Sequence, residues 1–468
     1  MKLKIIAAIL AIATLSVSCF EDNDDNIGTA SALEIQNFIY RGLNFFYVYK
    51  ADTPELANDA FASEGDLNEF LNGFATPEAL FDYLTPTRDR FSILVEDYVQ
   101  LENALAGITK NNGMEFGLVR YPTDPSLVFG YVRYVLPNSD AAAKGLQRGD
   151  IFTTVDGTQI TDLNFSELLD RDSYTIGLAT FDGTDVTPTE EEVALTKAII
   201  TENPIHISKT LSIDGQNIGY LMYNGFTNEF DSELNAVFAQ FRADNVSDLI
   251  IDLRYNGGGS VRTSTYLAGM ITGQFTDQVF YQEQWNADRQ ADYASDGLFL
   301  DQFVNGGETI NSLNLSRVYI LTTDRTASAS ELLINGLEPY INVIQVGTNT
   351  TGKFQASFLL YDAPAPNFRR SEANPSHTYA MLPLVFQTAN ALGVTDFNEG
   401  LVPDIELDED FSNLGVLGDP SEPLLAAALS DILPVRSPIQ GPALRLETIS
   451  DSKTHLQTNQ LMILEPRQ

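Results

Sequence analysis

Asp324-Arg325-Thr326-Ala327-Ser328-Ala329-Ser330-Glu331 follows an apolar strand pattern, Val318-Tyr319-Ile320-Leu321, and leads straight into a helical one over about residues 330–340. A serine at such a junction is expected to present its hydroxyl beside helix N-terminal N–H groups, the positive end of the helix dipole. A local reading competes: Ser328 with Glu331 fits a helix capping box, which needs no chemistry. The flanking sequence weighs against it. Upstream, the apolar strand Asp248-Leu249-Ile250-Ile251-Asp252-Leu253 gives way to Arg254-Tyr255-Asn256-Gly257-Gly258-Gly259, where absent side chains let backbone N–H groups face a bound group closely. Downstream, Val343-Ile344-Gln345-Val346 leads to Thr350-Thr351-Gly352-Lys353. With Ile218-Gly219-Tyr220-Leu221-Met222-Tyr223 and a helix over residues 230–243, this alternation predicts a layered α/β domain over residues 201–434, with functional loops at the strand ends.

Before this domain the periodicity changes twice. Residues 32–111 form a helical N-terminal region, with apolar positions at helical spacing in Ile35, Phe38, Ile39, Leu43 and again in Leu94, Tyr98, Leu101, Leu105. Residues 112–200 read as short strands and turns: Val132-Arg133-Tyr134-Val135-Leu136-Pro137, Ala141-Ala142-Ala143-Lys144-Gly145-Leu146, Arg148-Gly149-Asp150-Ile151 and Val155-Asp156-Gly157. This order of strand, glycine-closed helix, Gly-Asp turn and Asp-Gly hairpin resembles a PDZ domain. Such a fold implies a sheet edge that takes up a peptide as an added strand, and Gly117-Leu118-Val119 is the candidate carboxylate loop and its strand. A domain of this kind that merely packs on its neighbour is the alternative. The tail over residues 435–468 has weak periodicity and no assignable role.

The chain has 468 residues, 44% of them hydrophobic, enough for several cores. Its 64 acidic and 27 basic residues give a net charge of −37, which repels nucleic-acid phosphates and argues for a solvated exterior. His206, His377 and His455 are far apart and in no zinc spacing, so no metal and no cofactor are expected. Lys2 and Lys4 precede an apolar run over residues 5–15, and Leu15-Ser16-Val17-Ser18-Cys19 then resembles a bacterial lipoprotein signal. Cys19 is the single cysteine, so no intramolecular disulfide can form and lipid attachment suits it. The reading is a signal over residues 1–19, an acidic tether over 20–31, and an exported chain anchored in the cell envelope. A plain secretory peptide is the alternative.

Taken together, the strand-borne Asp-Leu-Arg with Asn256-Gly257-Gly258-Gly259, the Ser328-Ala329-Ser330-Glu331 helix start and the Thr351-Gly352-Lys353 turn resemble the carboxyl-terminal processing, or tail-specific, serine protease family. Lys353 follows Ser328 by 25 residues, the family's usual interval. The resemblance implies a crotonase/ClpP-like layered core, with Ser328 as nucleophile, Lys353 as general base, and Gly258 and Ala329 N–H groups as oxyanion donors. A desolvated lysine loses its proton near neutrality, which suits it to that role. The family often carries an acidic residue eleven positions after the serine, where this chain has Pro339 after Glu338. Its glutamine four after the lysine is Ser357 here, with Gln355 two after it, so Gln355 and Glu338 are the candidate supporting groups. The implied partners are polypeptides with accessible C-termini. A peptide-binding protein on the same fold that does not cut, or an enoyl-CoA-type enzyme using the glycine loop, are the other readings; a Ser-His-Asp triad would need His377 or His206 to reach Ser328.

Overall fold

The computed structural model describes residues 29–304, 306–433, 445–454 and 456–464; the leader segment with Cys19 lies outside them. Its centre is a six-stranded sheet in the order Ile205–Ile213, Gln216–Tyr223, Asp248–Asp252, Arg317–Thr322, Asn342–Gly347, Ile405–Glu406. The first pair is an antiparallel hairpin turned by Asp214 and Gly215, both at positive φ (50° and 82°). The other pairings are parallel, with Leu221 beside Ile251 and Ile251 beside Ile320. Leu249-Ile250-Ile251 and Val318-Tyr319-Ile320-Leu321 at its centre are buried at every position because both sheet faces are covered. Leu249, Ile251 and Ile320 pack under the helices Asp231–Ala243, Val261–Thr272 and Ala329–Leu337, while Ile250, Tyr319 and Leu321 pack on the helix Pro423–Ile432.

Helix Ala32–Phe46 starts at a full capping box between Ser31 and Glu34 and buries Phe38, Ile39 and Leu43 in the same core as the helices Val261–Thr272 and Ala329–Leu337. Two short helices, Glu64–Leu71 and Pro77–Leu84, pack beside it. Leu94 departs from the expected helical pattern. It lies on the strand Ile93–Val95, paired with Ala380–Leu382, because Asp97 caps the next helix through the Val99 and Gln100 N–H groups and so starts it only at Tyr98.

The β-rich unit leaves and rejoins the chain through an antiparallel pair, Ile108–Asn111 with Ala198–Thr201. It has its own core around Phe116, Val132, Phe152 and Ile176. Its strands run Met114–Arg120, Val128–Val135, Ile151–Val155, Ser173–Phe181, Val186–Thr196, and the sheet gains a further edge strand, Thr448–Asp451, from the tail. The tail does not stay unstructured. Met462–Ile463 enters a second six-stranded sheet between Gly259–Ser260 and Gln355–Ser357.

A buried ionic knot joins the β-rich unit to the central sheet. Arg254, wholly enclosed, contacts Asp252 at 2.8 Å and grips both carboxylate oxygens of Glu422 at 2.6 and 3.0 Å. Arg148, from the Arg-Gly-Asp turn, donates to Glu409 at 2.6 Å and to Tyr255 Oη at 2.8 Å. Burial pushes the Glu409 carboxyl up, but the Arg148 and Arg254 guanidiniums outweigh it and bring it down to about 2. Arg148→Ala would leave Glu409 short of a partner in this interior, so a loss of about 3–5 kcal/mol is expected in urea denaturation, against a small change for the exposed Arg445→Ala.

Candidate active site

The strand Arg317–Thr322 and the helix Ala329–Leu337 are separated by a short turn, held by Thr326 Oγ1 donating to the Leu253 carbonyl at 2.8 Å and by Ala327 N–H donating to the Asn256 carbonyl at 3.0 Å. Ser328 sits at its end with φ 67° and ψ −115°. A non-glycine residue pays about 1–3 kcal/mol for such a backbone, and a strained strand-to-helix elbow is what lifts a nucleophilic hydroxyl out of the helix. Glu331 closes the capping box on the Ser328 N–H at 2.7 Å, while Ser328 Oγ is buried and without a hydrogen-bond partner among the described residues.

Glu331 organises the surroundings. Its Oε2 accepts the N–H groups of Ser328 (2.7 Å) and Lys353 (2.8 Å), and its Oε1 accepts Gly352 N–H (2.7 Å) and the Thr350 hydroxyl (2.5 Å). The two motifs, distant in sequence, are thereby fastened to one carboxylate. Lys353 is fully enclosed, and its Nζ donates to the Gln460 carbonyl at 2.6 Å and lies 4.9 Å from the Phe91 ring centroid. Burial lowers its pKa to about 7, against the opposing pull of Asp89 and Glu331.

The glycine loop closes on the same point. A Cβ placed on Gly258, whose φ is 105°, would lie 2.6 Å from Ser328 Cβ, 2.9 Å from Ser328 Oγ and 2.6 Å from the Leu461 carbonyl oxygen. Only glycine allows this approach. Gly258 N–H, the expected oxyanion donor, is turned to Asn256 Oδ1 at 2.8 Å, and Gly259 N–H donates to the Leu461 carbonyl at 2.6 Å. Ala329 opens the helix next to Ser328.

The remaining candidates divide. Gln355 is buried near the lysine and donates to Tyr49 Oη at 2.8 Å, while Glu338 is exposed at the far end of the Ala329–Leu337 helix, away from Ser328. Glu331 takes the place near the pair that Glu338 was expected to hold. Gly117, Leu118 and Val119 form no loop: all three lie within the strand Met114–Arg120, whose outer edge carries the tail strand. His377 pairs with Asp362 at 3.0 Å beside the N-terminal helix, and His206 lies against the Tyr134 ring; neither bonds Ser328. Among the described residues no group of His, Cys, Asp or Glu is arranged to hold a metal ion. Asp89 and Phe91 escaped the sequence reading, because nothing local marks a segment that reaches the lysine only through folding.

This arrangement defines a mixed α/β protein of a serine-protease fold class. The family model described as "Peptidase family S41" matches residues 217–362, and that described as "Peptidase S41 N-terminal domain" matches residues 34–93. A carboxyl-terminal-processing protease of a Picosynechococcus species is 25% identical over 293 residues, covering 61% of this chain and 65% of that protein. One from a Synechocystis species is 27% identical over 234 residues, covering 48% and 50%. The matches thus span about half to two thirds of these relatives' lengths. The crystal structure of a candidate S41 protease from Bacteroides fragilis NCTC 9343 superposes with a TM-score of 0.66 at 25% identity, covering 84% of this chain and 96% of that one. Residues 217–362 thus match peptidase family S41, and residues 34–93 match that family's N-terminal domain.

Glu331→Gln tests the carboxylate that gathers the site. The amide keeps one acceptor and turns an NH2 toward two existing donors, so a loss of about 1–3 kcal/mol per stranded donor is expected in chemical denaturation. Glu338→Gln, at the exposed end of the same helix, should stay within about 0.5 kcal/mol of the parent.

Proposed function

We propose that this chain is a serine endopeptidase of the carboxyl-terminal processing type, acting through Ser328 and Lys353 on exported polypeptides with accessible C-termini. The observation that carries the reading is the attachment of the Ser328 and Lys353 N–H groups to one oxygen of Glu331, which holds an orphaned serine hydroxyl and an enclosed lysine in one site. Neutral Lys353 takes the Ser328 proton as Oγ attacks the peptide carbonyl. The resulting ammonium returns that proton to the leaving amine, giving an acyl-enzyme ester and a freed product. Lys353 then deprotonates a water that hydrolyses the ester. Support for anion stabilisation by the glycine loop comes from Gly259 N–H, which holds a peptide carbonyl, together with the helix N-terminus at Ala329. The β-rich unit, read as PDZ-like, supplies the strand Met114–Arg120, whose outer side accepts an added strand, for substrate capture.

With a lysine pKa lowered to about 7, the neutral base predominates above that value, so cleavage of an unstructured polypeptide should rise with pH through about 7 and level off. Ser328→Ala, folded by circular dichroism, should lose about a thousandfold or more of the rate. Lys353→Arg should be as inactive as Lys353→Ala, because guanidinium keeps its proton. Near-normal turnover by Lys353→Arg, or by Ser328→Ala, refutes the pair.

The lipoprotein-like leader places the enzyme on the cell envelope through Cys19. Cys19→Ser should move the chain from the membrane fraction to the soluble fraction on cell fractionation; a parent chain that is already soluble contradicts the anchor.

A further inference from the structure

We propose that residues 446–454 and 456–464 form an intramolecular strap that fills both the peptide-capture edge and the catalytic groove, so that a substrate polypeptide must displace it to be cut. The proposal rests on the reading of Ser328 as nucleophile and adds the regulation of that site.

The strap begins as a guest strand. Thr448, Ser450 and Asp451 stand opposite Val119, Leu118 and Gly117 in antiparallel register, and Arg120 N–H and Ser452 N–H extend the ladder to the Glu447 and Phe116 carbonyls at 3.0 and 3.1 Å. This is the way an extended peptide adds to an open sheet edge. Side chains then fasten it. Asp451 pairs with Arg133 of the β-rich unit and with Arg325 of the nucleophile turn, each at 3.1 Å. Lys453 pairs with Glu202 at 3.3 Å, and the Ser452 hydroxyl donates to Glu115 at 2.7 Å. One tail carboxylate therefore bridges the capture domain and the loop that carries Ser328.

The far end of the strap lies on the catalytic groups. The Gln460 carbonyl accepts from Lys353 Nζ and the Leu461 carbonyl accepts from Gly259 N–H, both at 2.6 Å. Met462 and Ile463 complete the sheet between the glycine loop and the Gln355–Ser357 strand. A cavity of about 1090 Å³ opens between the β-rich unit and the catalytic sheet. Gly257, Gly258 and Gly259 line it, as do Gln457, Asn459 and Leu461 of the strap, but Ser328 and Lys353 do not. Both are fully buried, so no scissile bond reaches the serine while this segment is in place.

The anchors are polar, whereas the groove must remain able to receive other chains. Removing them weakens the strap without touching the catalytic groups. The full chain carrying Asp451→Ala and Lys453→Ala should cleave unfolded β-casein at least about fivefold faster than the parent, the range expected when a coupling of this kind is released. A folded double variant with equal or lower turnover overturns the proposal. A second measurement does not depend on turnover or on that variant's folding: amide hydrogen exchange in Ser328→Ala protein with and without β-casein. Exchange at residues 448–451 and 462–463 should speed up when β-casein is added; unchanged exchange at saturating β-casein overturns the strap. Faster exchange in a protein whose parent cuts nothing upholds the strap and refutes the serine chemistry instead.

Discussion

Glu331 is the group on which the site depends. It stands in the first turn of the Ala329–Leu337 helix, and its two oxygens take donors from Ser328, Thr350, Gly352 and Lys353. Burial pushes its carboxyl up, and the four donors work against that rise. A buried carboxylate is tolerated when its lone pairs are filled this completely. The consequence is geometric: the serine elbow and the lysine turn share an anchor, so neither can shift alone. The hydroxyl is left free because the carboxylate satisfies the helix start from the backbone side.

Two enclosed cations show how the protein assigns charge. Arg254 and Lys353 are both fully buried. Arg254 meets Asp252, Glu422 and Glu409 and is held well above its ordinary pKa. Lys353 meets a neutral carbonyl and an aromatic ring, with carboxylates acting only from a distance, and burial wins. The Asp-Leu-Arg segment thus carries a structural cation that pins the Pro423–Ile432 helix through its capping residue Glu422. A fixed positive charge there and a labile one at residue 353 follow from which acceptors folding delivers to each.

The tail links these two regions. Arg148 docks the β-rich unit on Glu409 and Tyr255, beside Arg254, while Asp451 joins the same unit to Arg325, three residues before the serine. The β-rich unit is consequently not an independent appendage. Its position is set from one side by a buried knot and from the other by a strand that continues to the lysine.

By itself, the sequence determined the layered α/β core, the strand-to-helix placement of Ser328, the glycine loop and the lysine turn. Each is encoded over a few residues: a run of apolar positions wanted by a two-faced sheet, a glycine where no Cβ fits, a polar residue at a helix start. Their combination also sufficed to suggest the family. The tertiary structure alone decided that Glu331, rather than Glu338, stands beside the pair, that Asp89 and Phe91 flank the lysine, and that Gly117, Leu118 and Val119 bear a tail strand instead of forming a loop. Local patterns carry no information about which carboxylate a distant backbone N–H will meet. A tail of mixed polarity has no periodicity to announce it, because the hydrogen-bond partners and the burial of its strands Thr448–Asp451 and Met462–Ile463 come from sheets formed elsewhere in the chain.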